Sequence, residues 1–260
     1  MTYETLLTEQ DGVARVITLN RPARRNAMSI QMTHELIDAM RAAEADPDVR
    51  GVVVTGGPDF FSSGADLNEA LAIKSFMDAF NHMKQWETLA STAEQLQKPV
   101  IAAVEGFCIT GAWEFAMACD IRVAGEGASF MLTGSRIGTV PGGGGTQRLP
   151  RDVGLGRALE IHFSAEPIDA REAWRIGAIN RLVPRGQALA EAKKMVQGYA
   201  QRAPLSLAFA KRAVRAGMQM DMASAIEYER FLVTAVYGTE DRKEGISAFL
   251  EKRAPVFKGR

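Results

Sequence analysis

Apolar residues fall along the chain in two rhythms, and the alternation of those rhythms predicts the elements. Residues 13–19, VARVITL, are rich in β-branched side chains and end at Arg21-Pro22, which predicts a strand. Ser29 then precedes Met32, Leu36, Ile37 and Met40, a three-to-four-residue spacing that predicts a helix capped by Ser29 and running to about residue 45. Residues 51–55, GVVVT, are apolar without alternation and close at Gly56-Gly57-Pro58, as in a strand covered on both faces. Residues 60–67 read as a loop, 68–96 as largely helical, 99–104 as another buried strand, 111–117 as a helix and 120–124 as a short strand. Asp169 and Glu172 have capping-box spacing ahead of a helix over 170–176. After Pro204 the pattern is helical throughout, with breaks near 218–221 and Gly238.

Strand and helix alternate first, then helices stand alone, which predicts an α/β core with a helical tail. We place the boundary between residues 1–203 and 204–260. Apolar stripes in the tail include Leu207, Ala210 and Val214, then Ile226, Phe231 and Leu232. Part of that surface is expected to meet a neighbouring subunit.

Composition narrows the function classes. The 260 residues carry 31 Lys+Arg against 31 Asp+Glu, so no basic excess points to nucleic acid. Two cysteines, Cys108 and Cys119, are too few for a disulfide framework. No basic leader followed by an apolar stretch opens the chain, no run is apolar enough for a membrane span, and FKGR is no peroxisomal address. The expected compartment is the cytoplasm.

Three segments carry candidate chemistry. FSSGADL at 61–67 combines small residues with glycine, which lets a backbone N–H face a cleft; a tight loop explains the same letters. GFCITGAWEFAMACD at 106–120 follows a buried strand and enters a helix at Gly111, where free N–H groups and the helix dipole favour negative charge. Glu114 lies in that first turn among apolar neighbours. It could merely complement the dipole, or burial could raise its pKa into a range useful for proton transfer. The third segment, GTVP at 138–141 followed by four glycines, lacks the Gly-Lys-Ser/Thr ending of a phosphate-binding loop. His34, His82 and His162 are far apart and make no metal-ligand spacing, so no metal is expected. No G-x-S-x-G elbow supports a serine triad.

Taken in order, several fragments resemble the enoyl-CoA hydratase/isomerase family, also called crotonases. They are LNRPARRNAM at 19–28, SGADL at 63–67, KPVIAAVEG at 98–106, ACDIR at 118–122, GTVPGGGGTQRL at 138–149 and EDRKEGISAFLEKRAPVFKG at 240–259. The resemblance spans nearly the whole chain. It implies a spiral of ββα units followed by a helical trimerisation region, with trimers often paired into hexamers. It implies an oxyanion hole from the backbone N–H groups of Ala65 and Gly111, with Glu114 as the first of two catalytic glutamates. It implies coenzyme A along Arg25–Ala27 and along Ser63, Gly64, Asp66 and Leu67, as part of the substrate and with no separate cofactor.

The chain departs from the family pattern at the second glutamate, whose place is taken by Gly134 within FMLTGSR at 130–136. Trp113 stands where small residues or cysteine are common, and Thr110 and Ala112 replace glycines around Gly111. Trp113 reads either as core packing or, with Met131 and Gly134, as part of a reshaped acyl pocket. The first expectation is an enoyl-CoA hydratase-like lyase with Glu114 as its one obvious catalytic carboxylate, helped by water or Ser135. Alternatives are another enolate reaction on an acyl-CoA (decarboxylation, isomerisation or thioester hydrolysis) or a non-catalytic acyl-CoA-binding protein. A carboxyl introduced by Gly134→Glu is expected to supply the missing acid and speed hydration.

Overall fold

The computed structural model describes residues 2–260. A hairpin opens the fold: β1 (Leu6–Asp11) pairs antiparallel with β2 (Ala14–Leu19). Four further strands extend the sheet in parallel, β3 (Gly51–Thr55), β4 (Val100–Val104), β6 (Ile121–Gly125) and β9 (Arg181–Val183), in the order β1-β2-β3-β4-β6-β9. A smaller sheet joins β5 (Phe107–Ile109), β7 (Ser129–Met131) and β8 (Ile168–Asp169).

The unbroken apolar runs are explained by two cores, one on each face of the large sheet. Val52 and Val54 of β3, with Val100, Ala102 and Val104 of β4, face α1 (Ile30–Ala45) and α3 (Phe76–Gln95). Val53, Ile101, Ala103 and Val123 point the other way, against Ala188, Ala192 and Val196 of α8 (Ala188–Ala200). Successive strand side chains alternate sides, so a strand buried on both faces must be apolar at every position. Ser29 caps α1 by accepting from the Met32 N–H at 3.2 Å, as its spacing predicts.

The spiral arises because each central strand hands the chain to the small sheet and then to a helix. β4 leads to β5 and α4 (Gly111–Ala118), while β6 leads to β7. β3 leads to a single bridge at Ser62, which pairs with Cys108, and Cys108 in turn pairs with Phe130. Consecutive turns are thereby stacked, and loops from different turns meet at one end.

The region read as largely helical over 68–96 holds two helices. Asp66 caps the short α2 (Leu67–Leu71), and Ser75 starts α3 anew by accepting from Asp78 N–H. After Pro204 come three helices, α9 (Pro204–Gly217), α10 (Met222–Tyr237) and α11 (Glu240–Leu250), with turns where the sequence pattern breaks, but residues 251–260, also expected to be helical, turn and then run without regular structure. Lys211 and Arg215 of α9 tie this tail to the core through Asp120, at 2.7 and 2.9 Å. No described helix is long and apolar enough to cross a membrane.

Candidate active site

Two distant loops are zipped together first. Ser63 N–H donates to Arg25 C=O at 3.0 Å, Met28 N–H to Gly64 C=O at 2.8 Å, and Asp66 N–H to Met28 C=O at 3.2 Å. Asn26, 1 % exposed, locks the joint from inside: its side-chain amide donates to the carbonyls of Gly56 and Phe61. Arg21 adds an ion pair to Asp66 at 3.0 Å, and hydrogen bonds help hold that carboxyl below its usual range despite its burial. Segments 25–28 and 63–66 therefore form one ribbon, with the Arg25 and Leu67 side chains exposed and Ala27 and Ser63 half-buried.

Gly64 brings this ribbon to α4. It has φ +90°, and a Cβ there would lie 2.5 Å from the Ile109 carbonyl and 3.3 Å from Gly111 N. Only glycine allows so close an approach in that conformation. Gly111 is needed in turn, since a Cβ on it would meet the Trp86 indole at 2.6 Å. Among the described residues, the N–H groups of Ala65 and Gly111 find no acceptor in the protein.

Thr110, which precedes Gly111, adopts φ 41° and ψ −107°, a conformation rare for a β-branched residue. Its N–H donates to Met131 C=O at 2.7 Å, its hydroxyl oxygen accepts from Thr133 N–H at 2.9 Å, and the two threonine hydroxyls share a 2.7 Å hydrogen bond. These bonds hold the start of α4 against the segment that ends in Gly134.

Glu114 is 3 % exposed, and its Oε1 accepts from Gly145 N–H at 2.8 Å. Burial pushes its carboxyl above the ordinary range, opposed by the Gly145 and Gly143 amides and by the Arg148 cation. The four glycines thus have a purpose that their letters alone did not reveal. A Cβ on Gly145 would sit 3.0 Å from Glu114 Oε1, and one on Gly143 would sit 3.3 Å from Glu114 Cβ. They form a close-fitting backbone cover over a carboxyl group, at the start of α5 (Gly145–Val153).

The remaining site expectations fare unevenly. Met131 lies beside Thr110 through its carbonyl. Trp113 is fully buried and packs on Phe130 with ring centroids 5.4 Å apart, an arrangement of core packing rather than of an open pocket wall. Gly134 is buried at the start of a 3-10 turn, and a Cβ there would meet the Thr139 carbonyl at 2.9 Å and Pro141 Cδ at 3.1 Å. The Thr139 carbonyl, Val140 Cα and the Pro141 ring crowd the space that a Cβ at 134 would enter. Sequence reasoning missed the parts played by Asn26, Trp86, Thr133 and Arg148; of these, all but Trp86 lay inside segments already quoted.

The protein is thus of the mixed α/β class, with one loop amide, one helix-start amide and a buried carboxyl gathered at the mouth of α4. The chain belongs to the enoyl-CoA hydratase/isomerase family, whose model matches residues 8–260. It is 38 % identical over 259 residues to a probable enoyl-CoA hydratase of Mycobacterium bovis, with 99 % of each chain covered. It is 39 % identical over 257 residues to the 2,3-dehydroadipyl-CoA hydratase of Escherichia coli, again with 99 % of each covered. The solved enoyl-CoA hydratase of Bacillus anthracis superposes with a TM-score of 0.94 at 34 % identity, covering 99 % of this chain and 100 % of that one.

Proposed function

We propose that the protein is an enoyl-CoA hydratase-like lyase that binds an acyl-CoA and stabilises its thioester enolate at the amides of Ala65 and Gly111. The observation that carries this reading is the meeting of Ala65 N–H with two groups from the sequence-distant first turn of α4, Gly111 N–H and the Glu114 carboxyl, through the Gly64 approach. Attack of water at the β-carbon moves negative charge onto the thioester oxygen. Two fixed N–H donors at a helix N-terminus stabilise that charge, and one such donor is typically worth about 3 kcal/mol. Glu114, buried and with its pKa raised, takes the proton from water and can return it at the α-carbon. The Arg25–Ala27 and Ser63–Leu67 ribbon is the site proposed for coenzyme A, whose binding energy positions the acyl group. The substrate brings the coenzyme, and no separate cofactor is invoked; the proposed compartment is the cytoplasm.

The absence of a second carboxylate at Gly134 favours one other reading, an enolate reaction that manages with a single acid or none, such as decarboxylation. A panel of crotonyl-CoA, a 3-enoyl-CoA and a malonyl-type CoA separates these, because hydration, isomerisation, CO₂ release and free thiol have distinct readouts. Hydration of crotonyl-CoA supports the lyase; CO₂ release alone overturns it.

The tail is proposed to build a homotrimer or a pair of trimers. Leu232 is buried within the chain, but Val214, Ile226, Phe231, Phe249 and Leu250 are exposed, and Phe249 is 83 % exposed. So much apolar surface on one helical region marks an association face. Light scattering at micromolar concentration is expected to give three or six times the chain mass, and a monomer would contradict this.

A further inference from the structure

The geometry points to Arg148 as a positioning residue that clamps the tetraglycine segment over Glu114 and ties that clamp, through Glu94, to the helical tail. The inference rests on the acid/base role proposed for Glu114 and adds to it how the group is held.

Glycine is the most conformationally free residue, and four in a row at 142–145 have no side chains with which to fix themselves. Yet the amides of this segment face a buried carboxyl, which needs its partners in fixed places. Arg148 supplies the restraint from one turn into α5. Its Nη1 donates to Gly143 C=O at 2.9 Å, on the residue whose own N–H faces Glu114. Its Nε donates to Glu94 Oε1 of α3 at 2.7 Å. The guanidinium lies so close over the loop that a Cβ on Gly144 would fall within bonding distance of Nη1, and Gly144 also has φ +104°. The loop is thus shaped around the arginine.

Glu94 does not belong to Arg148 alone. Arg215 of α9 approaches the same Oε1 at 3.3 Å and also bonds Asp120 at 2.9 Å. A continuous line of ion pairs therefore runs from the tail, through α3, to the cover of the catalytic carboxyl. The planar guanidinium can hold Gly143 and Glu94 at once because its donors lie in a rigid fork; a lysine ammonium keeps the charge without that fork.

The titratable groups around this assembly include Glu94 of α3, Asp152 of α5, Lys211 and Arg215 of α9, Asp120 just before β6, and Arg122 of β6. Burial and the Arg122 cation act in opposite directions on Asp152, with burial the larger. His162 of α6 (Leu155–Ser164) borders Gly145, and burial holds its imidazole below the ordinary value. Arg148 is the cation that acts on Glu114 itself.

The test uses Arg148→Met, Arg148→Lys and Glu94→Gln in the full-length protein, each with and without Glu114→Gln. Two readouts are taken. In the first, kcat and KM for crotonyl-CoA are measured from pH 5 to 9. Arg148→Met is expected to lower kcat by about 10- to 100-fold, the loss that follows from displacing a catalytic group by roughly 1 Å. KM is expected to change by about twofold or less, with the acid limb of the profile moving to higher pH because a cation near the carboxylate is gone. Arg148→Lys is expected to leave the acid limb in place while still lowering kcat, and Glu94→Gln to lower kcat in the same way by a smaller factor. The second readout needs no substrate. At pH 8 the urea midpoint gained by Glu114→Gln is expected to be larger in the Arg148→Met background than in wild type. Equal gains in both backgrounds, with an unmoved acid limb, would show that Arg148 only props the fold and would overturn the inference. Turnover that is indifferent to Glu114→Gln would instead overturn the acid/base role on which it rests, so the two failures are distinguishable.

Discussion

Replacing Glu114 by glutamine is expected to damage turnover and improve stability at neutral pH, two effects with one physical cause. The carboxyl is 3 % exposed, and burial dominates its environment despite the Gly143 and Gly145 amides and Arg148. A buried acid whose pKa is raised binds its proton more tightly folded than unfolded. Below about pH 4, near the ordinary glutamate value, both states are protonated and the group has no effect on stability. As pH rises, the unfolded chain releases its proton first, so stability falls until the folded group also ionises; beyond that point the cost is constant. Each unit of upward shift corresponds to about 1.4 kcal/mol. Glutamine carries no such cost, and its side-chain oxygen can still accept from Gly145 N–H at the 2.8 Å contact, although a neutral acceptor bonds about half as strongly as a charged one. Glu114→Gln should therefore gain stability relative to wild type between pH 4.5 and 8. On the catalytic side, loss of general acid/base chemistry costs about 10²- to 10⁴-fold in kcat, or about 3–5 kcal/mol of barrier, with acyl-CoA affinity nearly intact. The assays are steady-state loss of enoyl-thioester absorbance and urea denaturation at the two pH values. Full turnover in the variant, or a stability difference that does not change with pH, would refute the reasoning.

Two further substitutions probe the frame around that group. Gly111→Ala places a methyl 2.6 Å from the Trp86 ring, so the indole or the first turn of α4 must move. It is expected to reduce kcat on crotonyl-CoA by about 10²- to 10³-fold, as for a lost oxyanion donor, and unchanged kcat would exclude Gly111 from the hole. Gly134→Glu is now expected not to accelerate hydration, because the new side chain meets the Thr139 carbonyl at 2.9 Å before it reaches the site. A rise in crotonyl-CoA hydration of about tenfold or more would show that residues 139–141 yield and that position 134 still accepts an acid.

Much of the frame was legible because it depends on period and caps. The GVVVT and VIAAV strands announce burial on both faces, and Ser29 and Asp169 cap helices as their spacing predicts. β1 was not legible, since it is an edge strand with only Leu6 fully buried and therefore carries no apolar rhythm. The three-residue strands β5 and β7 are too short for any period to emerge. At the site, Gly111 and Glu114 were readable from the helix start. The Gly64 approach was not, because it depends on a carbonyl 45 positions further along the chain, Ile109. Gly134 was readable as a missing acid but not as an occupied space, because the occupants are the Thr139 carbonyl, Val140 Cα and the Pro141 ring, whose approach no spacing advertises.

The glycine run also divides the molecule for anyone who would make it more heat-resistant. Exchanging glycine for alanine ordinarily reduces the freedom of the unfolded chain and adds about 0.4–1 kcal/mol where the native backbone accepts a methyl group. Gly198, inside α8 with nothing within 4 Å of its would-be Cβ, is such a place. The segment 142–145 is the opposite: the positions with the most freedom to remove are those where a methyl would strike Met83, Glu114 or Arg148. The fold must therefore leave this stretch free of methyl groups where its backbone covers Glu114, and gains from glycine-to-alanine exchange have to come from positions remote from it, such as Gly198.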